Sequence, residues 1–338
     1  MHQVRQLCQY LRETVSSAKH NVLILSAGRR VELLQAFKQE LNTRGLESLV
    51  FATDSNPRMS AACQVADRAF AMPRVTAEGY IGELLALCIK ESVGLVIPTI
   101  DTELLGLAQA REGFLQEGIH SVISEEALIQ ACRDKRVTAN LFKSLDIQTP
   151  EVFDPDRLAF PCFAKPYDGS RSVGAFKLGQ AADLTTGMRS DPKIIFMEYI
   201  DSSFEEYTVD AYFDRAGALK SLVPRHRLEV RDGEISKGVT RKNHVYYYLR
   251  ERLSGLRAAR GCITVQLFAH PAGSRYAAIE INPRFGGGYP LSYAAGANYP
   301  GWLIDEYLLN KEVPFFDGWE SNLLMLRYDS QVLVRDAV

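Results

Sequence analysis

The stretch Tyr276-Ala-Ala-Ile-Glu-Ile-Asn-Pro-Arg-Phe-Gly-Gly-Gly-Tyr-Pro290 begins as a short apolar run and ends in a cluster of glycines. In a β-strand successive side chains alternate between the two faces, so Glu280 and Asn282 point to one side and the isoleucines beside them to the other. Oxygen ligands of this kind suit Mg²⁺, and the guanidinium of Arg284 just beyond them suits phosphate. A strand with a polar, solvent-facing side explains these few residues equally well, so the choice depends on the rest of the chain.

The composition is that of an ordinary soluble globular protein, with 338 residues and a net charge of −2. This length predicts two or three packed units. The charge gives no argument for a nucleic-acid or membrane partner, and no apolar run approaches the roughly 20 residues of a spanning helix. Residues 1–20 lack the apolar segment of a signal peptide and are expected to form an amphipathic helical extension. The six scattered cysteines form no Cys-x-x-Cys motif, which favours reduced thiols in a cytoplasmic protein.

Residues 21–123 alternate between apolar strands and amphipathic helices. Near-continuous apolar strands in such an alternation predict a parallel sheet covered on both faces. Ligands of these sheets bind at the carboxyl ends of strands, where this chain has Gly28, Arg29 and Asp54. Gly28-Arg-Arg is not a dinucleotide-binding Gly-x-Gly-x-x-Gly pattern, so no such site is predicted. A tight turn at Gly28 and a cap at Asp54 are the simpler explanations of each residue taken alone.

A second unit is predicted to begin near residue 124. A helix over 135–145 precedes a strand over 160–166 that carries Lys165. The small-residue loop Tyr167-Asp-Gly-Ser-Arg-Ser-Val-Gly174 then leads into another strand over 175–178. A loop between two strands is a hairpin, and its free backbone N–H groups allow it to fold over phosphates as a flap.

The following residues predict further strands over 194–200 and 205–213, and Glu206, Thr208 and Asp210 share one face of the second strand. The stretch 224–243 is crowded with basic residues, and its ordinary interpretation is a solvated loop. A helix over 246–260 and a strand over 262–268 lead to the stretch that ends at Pro290. The last residues predict a closing pair of strands at 323–328 and 331–334.

Five motifs in this order resemble those of the ATP-grasp superfamily, most closely its stand-alone carboxylate ligases related to the large subunit of carbamoyl phosphate synthase. Asp134-Lys-Arg-Val-Thr138 resembles the family's Asp-Lys-x-x-Thr helix start. Phe163-Ala-Lys-Pro166 with the loop after it resembles the second lysine and the phosphate flap.

The remaining three motifs follow these along the chain. Glu198-Tyr-Ile resembles the adenine hinge, and Glu205-Glu-Tyr-Thr-Val-Asp resembles the ribose strand. Gln266 together with Glu280-Ile-Asn-Pro-Arg284 resembles the two metal strands.

The resemblance covers about residues 21–310 and implies an α/β fold. A Rossmann-like parallel-sheet domain, the pre-ATP-grasp domain, is followed by a two-lobed α+β ATP-grasp domain. The helical extension is expected at residues 1–20 and the pre-ATP-grasp domain at 21–123. The ATP-grasp domain follows, with its small lobe and phosphate flap at 124–197 and its large lobe and metal site at 198–310. Closing strands are expected at 311–338.

The resemblance also implies a site for ATP and Mg²⁺. The nucleotide-binding residues would be Lys135, Lys165, Gly169, Ser170, Ser172, Gly174, Glu198, Tyr199, Ile200 and Glu206. The metal ligands would be Gln266, Glu280 and Asn282, the first of them an amide where the family often has glutamate. The catalytic residues would be Lys165, Arg284 and Arg225. Arg284 would steady the transferred phosphoryl group, and Arg225 would grip the substrate carboxylate or the acylphosphate.

The implied reaction is the ATP-dependent activation of a small-molecule carboxylate as an acylphosphate, which an amine, a thiol or a similar nucleophile then attacks. Phosphorylation of carbamate, as in carbamoyl phosphate synthesis, is an alternative, although the chain holds one grasp module. A non-catalytic nucleotide-binding subunit is a third interpretation, opposed by the presence of the lysine and metal positions. Many family members are dimers, and the sequence leaves a homodimer and the identity of the substrates open.

Overall fold

The computed structural model describes residues 20–169, 174–231 and 233–335. The chain divides into two compact units. One reaches to Val122 and takes in Leu303–Lys311 and the residues from Gln331, and the other consists of Ile123–Trp302 and Glu312–Ser330. None of the helices in these described ranges combines the length and the apolar character that a membrane span requires. The helix expected over residues 1–20 lies outside the described residues, apart from His20.

The first unit is built on a parallel sheet. Its strands are β1 (Asn21–Ile24), β2 (Val50–Asp54), β3 (Arg68–Ala71), β4 (Val93–Ile97) and β5 (His120–Ser121). They lie in the order β3-β2-β1-β4-β5, and every pair is parallel. The helices are α1 (Val31–Thr43), α2 (Ala61–Val65), α3 (Tyr80–Lys90) and α4 (Asp101–Gln116). Strands β1, β2 and β4 are almost wholly buried, as near-continuous apolar strands of a covered parallel sheet should be.

Polar side chains at the carboxyl ends of these strands bond to neighbouring loops. Asp54 accepts a hydrogen bond from the backbone N–H of Gly28 at 3.1 Å, and Glu103 accepts one from the Ser26 hydroxyl at 2.9 Å. Gly28 has a φ of 49°, a conformation that favours glycine. The tight-turn explanation therefore fits Gly28. Asp54 holds that turn, and the N-cap position of the 3-10 helix Pro57–Met59 that follows β2 is occupied by Asn56 instead.

The second unit contains two antiparallel sheets. The smaller sheet is formed by β6 (Val152–Phe153), β7 (Cys162–Pro166), β8 (Phe176–Leu178) and β9 (Ile194–Glu198), in the order β6-β9-β7-β8. The larger sheet is formed by β10 (Glu205–Phe213), β11 (Leu219–Arg231), β12 (Glu234–Thr240), β13 (Gly261–Ala269), β14 (Tyr276–Asn282) and β15 (Leu324–Leu326). Its strand order is β14-β13-β10-β11-β12-β15. The helices are α5 (Glu126–Arg133), α6 (Lys135–Ser144), α7 (Thr186–Ser190), α8 (His244–Leu253), α9 (Tyr289–Ala294) and α10 (Tyr299–Leu303).

The prediction of a solvated loop over 224–243 is wrong, because this stretch forms most of β11 and all of β12. Pro224 made the strand hard to predict, since proline cannot donate to a ladder. It lies opposite Val209 of β10, and pairing with β12 begins one residue later, at Arg225 and Thr240. The proline therefore lies where the partner strand ends, and its missing N–H breaks no interior pair.

The closing strand pair predicted for the tail is also wrong. Of the two predicted strands, only Leu324–Leu326 forms, and its partner is β12. Residues 331–334 are in no regular element. A short apolar run shows that an edge strand is favourable without showing which edge it pairs with.

Candidate functional site

One face of the larger sheet carries a row of polar side chains. The register aligns Arg225 on β11 with Thr208 on β10, Thr208 with Gln266 on β13, and Gln266 with Glu280 on β14. Asn282 shares the face of Glu280 because alternate residues of a strand point the same way. Thr208, Gln266, Glu280 and Asn282 are half-buried, whereas Arg225 is buried, so the row is open at one end and covered at the other. We call this row the polar wall.

Glu206 lies beside the half-buried part of the polar wall, two residues before Thr208 on β10. Its carboxylate accepts hydrogen bonds from the side-chain amide of Gln266 and from the guanidinium of Arg227. Arg227 also donates to the backbone carbonyl of Gly233 at 3.1 Å. The resemblance implied a ribose-binding role for Glu206 and did not show its partner Arg227. The alternation of Arg225 and Arg227 along β11 was the available signal, and the loop interpretation of that stretch obscured it.

The open end of the polar wall, at Glu280 and Asn282, continues into the turn after β14. Asn282 donates through its side-chain nitrogen to Glu280 at 3.0 Å. Arg284 donates through its backbone N–H to the Asn282 carbonyl at 2.8 Å and through its guanidinium to the Asn282 side-chain oxygen at 3.4 Å. The carboxylate, amide and guanidinium that the sequence predicted to be neighbours are therefore in contact.

Two lysines come from the other elements of the same unit. Lys165 lies on β7 with only 9 % of its surface exposed, and Lys135 is the first residue of α6, which Asp134 caps by accepting from the N–H of Arg136 at 2.9 Å. Burial first, and the nearby Lys135 second, lower the pKa of Lys165 to about 8, and Glu280 acts in the opposite direction. These effects indicate that Lys135 and the Glu280 carboxylate lie near Lys165.

The predicted flap begins beside Lys135. The backbone N–H of Lys135 donates to the carbonyl of Tyr167 at 3.0 Å, and its ammonium donates to the carbonyl of Gly169. Gly169 and Gly174 both pack on Pro166, where an added Cβ would lie 3.3 and 3.2 Å from the ring. Both glycines thus allow close packing at the two ends of the loop. The predicted phosphate contacts of Ser170 and Ser172 lie outside the described residues.

The predicted adenine hinge lies at the end of β9. The carboxylate of Glu198 accepts a hydrogen bond from Arg275 at 2.5 Å and one from the backbone N–H of Glu151 at 3.2 Å. The ammonium of Lys177 lies 4.2 Å from the centre of the Tyr199 ring, and Ile200 is half-buried beside it. Sequence reasoning missed Arg275, because it lies in the β13–β14 turn and no local pattern connects it with Glu198.

Several solved structures share this fold. The biotin carboxylase domain of 2-oxoglutarate carboxylase from Hydrogenobacter thermophilus, solved as a dimer with MgADP, ADP and bicarbonate, has a TM-score of 0.68 and 13 % identity over 90 % of this chain and 73 % of that one. N5-carboxyaminoimidazole synthetase from Staphylococcus aureus, solved with ADP, has a TM-score of 0.66 and 14 % identity over 91 % of this chain and 80 % of that one. L-amino acid ligase from Bacillus licheniformis has a TM-score of 0.63 and 17 % identity over 85 % of this chain and 74 % of that one.

Comparison with curated protein sequences gives no match. Two family models match the chain. One describes the N-terminal domain of PylC-like proteins and matches residues 22–123, and the other describes an ATP-grasp protein of the biosynthetic pathway with the Ter operon and matches residues 190–323. The chain belongs to the ATP-grasp superfamily of ligases. The resemblance inferred from the motifs and the predicted fold class, a parallel-sheet domain followed by an α+β ATP-grasp domain, are thereby confirmed.

The donor atoms of the polar wall fit the Mg²⁺ that an ATP-grasp ligase is expected to use. Gln266 turns its amide nitrogen to Glu206, which leaves its amide oxygen for a cation. Asn282 turns its amide nitrogen to Glu280, and its oxygen, which accepts from Arg284 at 3.4 Å, has a second lone pair for a cation. Hard oxygen donors of this type suit Mg²⁺. Across the described ranges, no group of three or more His, Cys, Asp or Glu side chains is arranged to hold a metal ion. The predicted site therefore depends on one carboxylate and two amides.

The covered end of the polar wall holds Arg225, which the sequence predicted to grip the substrate carboxylate. Its guanidinium is 1 % exposed and forms two hydrogen bonds with Asp210, at 2.8 and 3.0 Å. Gly288 closes over it so tightly that an added Cβ would lie 2.1 Å from a guanidinium nitrogen. This geometry favours an internal, supporting role for Arg225.

Proposed function

We propose that this ATP-grasp protein uses Mg·ATP to activate a small-molecule carboxylate as an acylphosphate for attack by an amine or a similar nucleophile. The observation that carries the proposal is the local site in which the pKa of the buried Lys165 responds to both Lys135 and Glu280. Two lysines beside an oxygen-rich wall suit a ligand that joins phosphates to a divalent cation.

In this proposal Lys135 and Lys165 bind the phosphates of ATP, and Arg284 steadies the phosphoryl group in transfer. Gln266, Glu280 and Asn282 hold the cation, which supplies charge neutralisation between the phosphates when it is bound. Positioning and charge neutralisation are the main contributions that a protein makes to phosphoryl transfer. Arg225 is not assigned to the substrate, because its guanidinium is sealed against Asp210.

The nucleoside of ATP is assigned to the hinge at the end of β9 and to Glu206 beside the polar wall. Tyr199 and Ile200 supply backbone groups for the adenine edge, and Glu206 suits the ribose hydroxyls. The bonds from Arg275 and from the N–H of Glu151 both go to one carboxylate oxygen of Glu198, so the other oxygen can accept from the adenine amino group while both bonds stay formed.

The bond changes follow from the acylphosphate chemistry. A carboxylate oxygen forms a bond to the γ-phosphorus while the bond from that phosphorus to the β–γ bridging oxygen breaks, and ADP leaves. The nucleophile then attacks the acyl carbon, inorganic phosphate departs, and an attacking amine loses a proton. Exclusion of water from the site would protect the acylphosphate from hydrolysis.

Names among the structural neighbours agree with this class of reaction. An L-amino acid ligase and two proteins that act in carboxylation share the fold, and one of them was solved with bicarbonate. The acid and the nucleophile of this chain stay to be identified by experiment. The H. thermophilus domain is described as a dimer, and a homodimer of this chain stays a prediction.

The test is consumption of Mg·ATP with pooled amino acids and small carboxylates, with ADP, AMP and phosphate measured separately. ADP and phosphate that appear only when an acid and an amine are both present would support the proposal. ADP formed with one acid alone would indicate carbamate or other carboxylate phosphorylation. AMP would refute the acylphosphate route, and ATP binding without any turnover would favour the non-catalytic interpretation.

Two variants test the site assignment in the same assay. Lys165→Ala and Glu280→Ala should each abolish ADP formation while the circular dichroism spectrum stays native. Lys38→Ala, which removes a partly exposed lysine of the first unit, and Glu229→Ala, which removes an exposed glutamate of β11, are the matched controls. Near-normal turnover of either site variant would show that the residue has another role.

A further inference from the structure

The side chain of Asp210 is fully buried and saturated with hydrogen bonds. It accepts two from Arg225, one from the Ser292 hydroxyl at 2.6 Å and one from the Thr264 hydroxyl at 3.2 Å. Tyr299 donates to the backbone carbonyl of the same residue at 3.0 Å. A carboxylate held by donors from β11, β13 and α9 has a single orientation, and its position is fixed relative to all three elements.

Thr264 links this carboxylate to the turn after β14. Its hydroxyl lies 3.2 Å from the Asp210 carboxylate and 3.1 Å from the backbone carbonyl of Arg284, so its one proton is shared between the two acceptors. Thr264 is 4 % exposed. Gly286 packs on the same hydroxyl, where an added Cβ would lie 3.0 Å from the oxygen.

We propose that Thr264 is a positioning residue that couples the buried Asp210 to Arg284, and this inference rests on the proposed role of Arg284 at the transferred phosphoryl group. The carbonyl carbon and the side chain of Arg284 are both bonded to its Cα. A hydrogen bond that holds the carbonyl therefore also fixes the point from which the side chain extends toward its guanidinium. On the other side, the bonds of Arg284 to Asn282 fix its direction along the polar wall. Misplacing a phosphate-binding group by a small distance is costly, because the reaction depends on positioning.

The experiment compares the affinity for Mg·AMP-PNP, which carries a third phosphoryl group, with the affinity for Mg·ADP, which lacks it. Thr264→Val removes the hydroxyl and nearly keeps the shape of the side chain. Ser292→Ala is the matched control, because it removes a hydroxyl bond to the other oxygen of the same Asp210 carboxylate and leaves the Thr264 bond to Arg284 in place. Thr264→Ser restores the hydroxyl.

Calorimetric titration should show that the wild type binds Mg·AMP-PNP more tightly than Mg·ADP. Thr264→Val should weaken Mg·AMP-PNP binding about five- to tenfold, as expected for the loss of one hydrogen bond, and change Mg·ADP binding less than about twofold. Ser292→Ala should leave both affinities within about twofold, although both variants lose a similar bond and should melt at similarly lowered temperatures. Thr264→Ser should recover the wild-type preference.

Several results would overturn the coupling. The first is a Thr264→Val variant in which the affinities for Mg·AMP-PNP and Mg·ADP fall equally. The second is a Ser292→Ala variant that selectively loses affinity for Mg·AMP-PNP. The third is a wild type that binds the two nucleotides with equal affinity. Thr264→Ala gives the same comparison if the valine variant does not fold. A wild type that binds neither nucleotide would overturn the proposed function itself, and the coupling with it.

Discussion

Lys165 should take up a proton when a nucleoside triphosphate binds. Its pKa is lowered to about 8 by burial first and by Lys135 second, against the effect of Glu280. The folded protein thus holds this proton less tightly than the unfolded chain does. The lysine therefore lowers stability below pH 8, and the penalty is relieved as the pH rises from about 8 toward 10.5. Phosphate oxygens beside the ammonium stabilise the charged form and raise its pKa.

The size of the uptake follows from these pKa values. With a pKa of about 8, roughly 90 % of the free protein carries a charged Lys165 at pH 7.0 and roughly 25 % at pH 8.5. If phosphates restore a pKa near 10.5, the complex is almost fully charged at both pH values. Binding then takes up about 0.1 proton at pH 7.0 and about 0.7 proton at pH 8.5, and the affinity falls by about fivefold between pH 8 and pH 9.

Calorimetric titration with Mg·AMP-PNP in buffers of different ionisation enthalpy measures this uptake directly. Lys165→Met keeps a long apolar side chain without the titrating group, so its uptake at pH 8.5 should fall below about 0.1 proton. An uptake that is equal at the two pH values, or one that persists in the methionine variant, would refute the assignment of Lys165 to the phosphates.

Two further predictions concern the covered end of the polar wall. Arg225→Met leaves the buried Asp210 without its partner, so the free energy of unfolding measured in urea should fall by about 3–5 kcal/mol, and a loss below about 1 kcal/mol would show that the pair is dispensable. Gly288→Ala forces a Cβ to within 2.1 Å of the Arg225 guanidinium and should cost about 1–3 kcal/mol. Gly82→Ala, where an added Cβ meets nothing within 4 Å, should be neutral or slightly stabilising in the same urea titration.

The strands that could be predicted are those that are buried because their own residues are apolar. The run Val93–Ile97 is apolar throughout and buried throughout, so its pattern is sufficient. Strand β11 differs, because Arg225, His226 and Arg227 follow one another in it. A pattern analysis treats such charge as solvent-exposed. The charges of Arg225 and Arg227 are neutralised by carboxylates on β10, and the sequence of a single strand does not show that pairing.

The same distinction applies to the candidate site. Glu280, Asn282 and Arg284 were predictable as neighbours because strand alternation and a turn bring them together locally. The face shared by Glu206 and Asp210 was also visible, but their arginine partners were not. Those contacts depend on the register between strands, which is set by packing across the whole sheet.

The charges of the proposed site agree with the charge of its proposed ligand. The Glu206–Arg227 pair is internally neutral. Three cations and one carboxylate are otherwise assigned to the phosphates and the cation: Lys135, Lys165, Arg284 and Glu280. Their sum is about +2, which balances the charge of about −2 that ATP carries with one Mg²⁺. A glutamate at the position of Gln266 would lower this sum by one and would stabilise the Lys165 ammonium. The amide at Gln266 thus leaves the site with positive charge that the phosphates of a bound nucleotide would compensate. The low pKa of Lys165 agrees with this, because burial and the neighbouring Lys135 leave its ammonium without enough compensating negative charge.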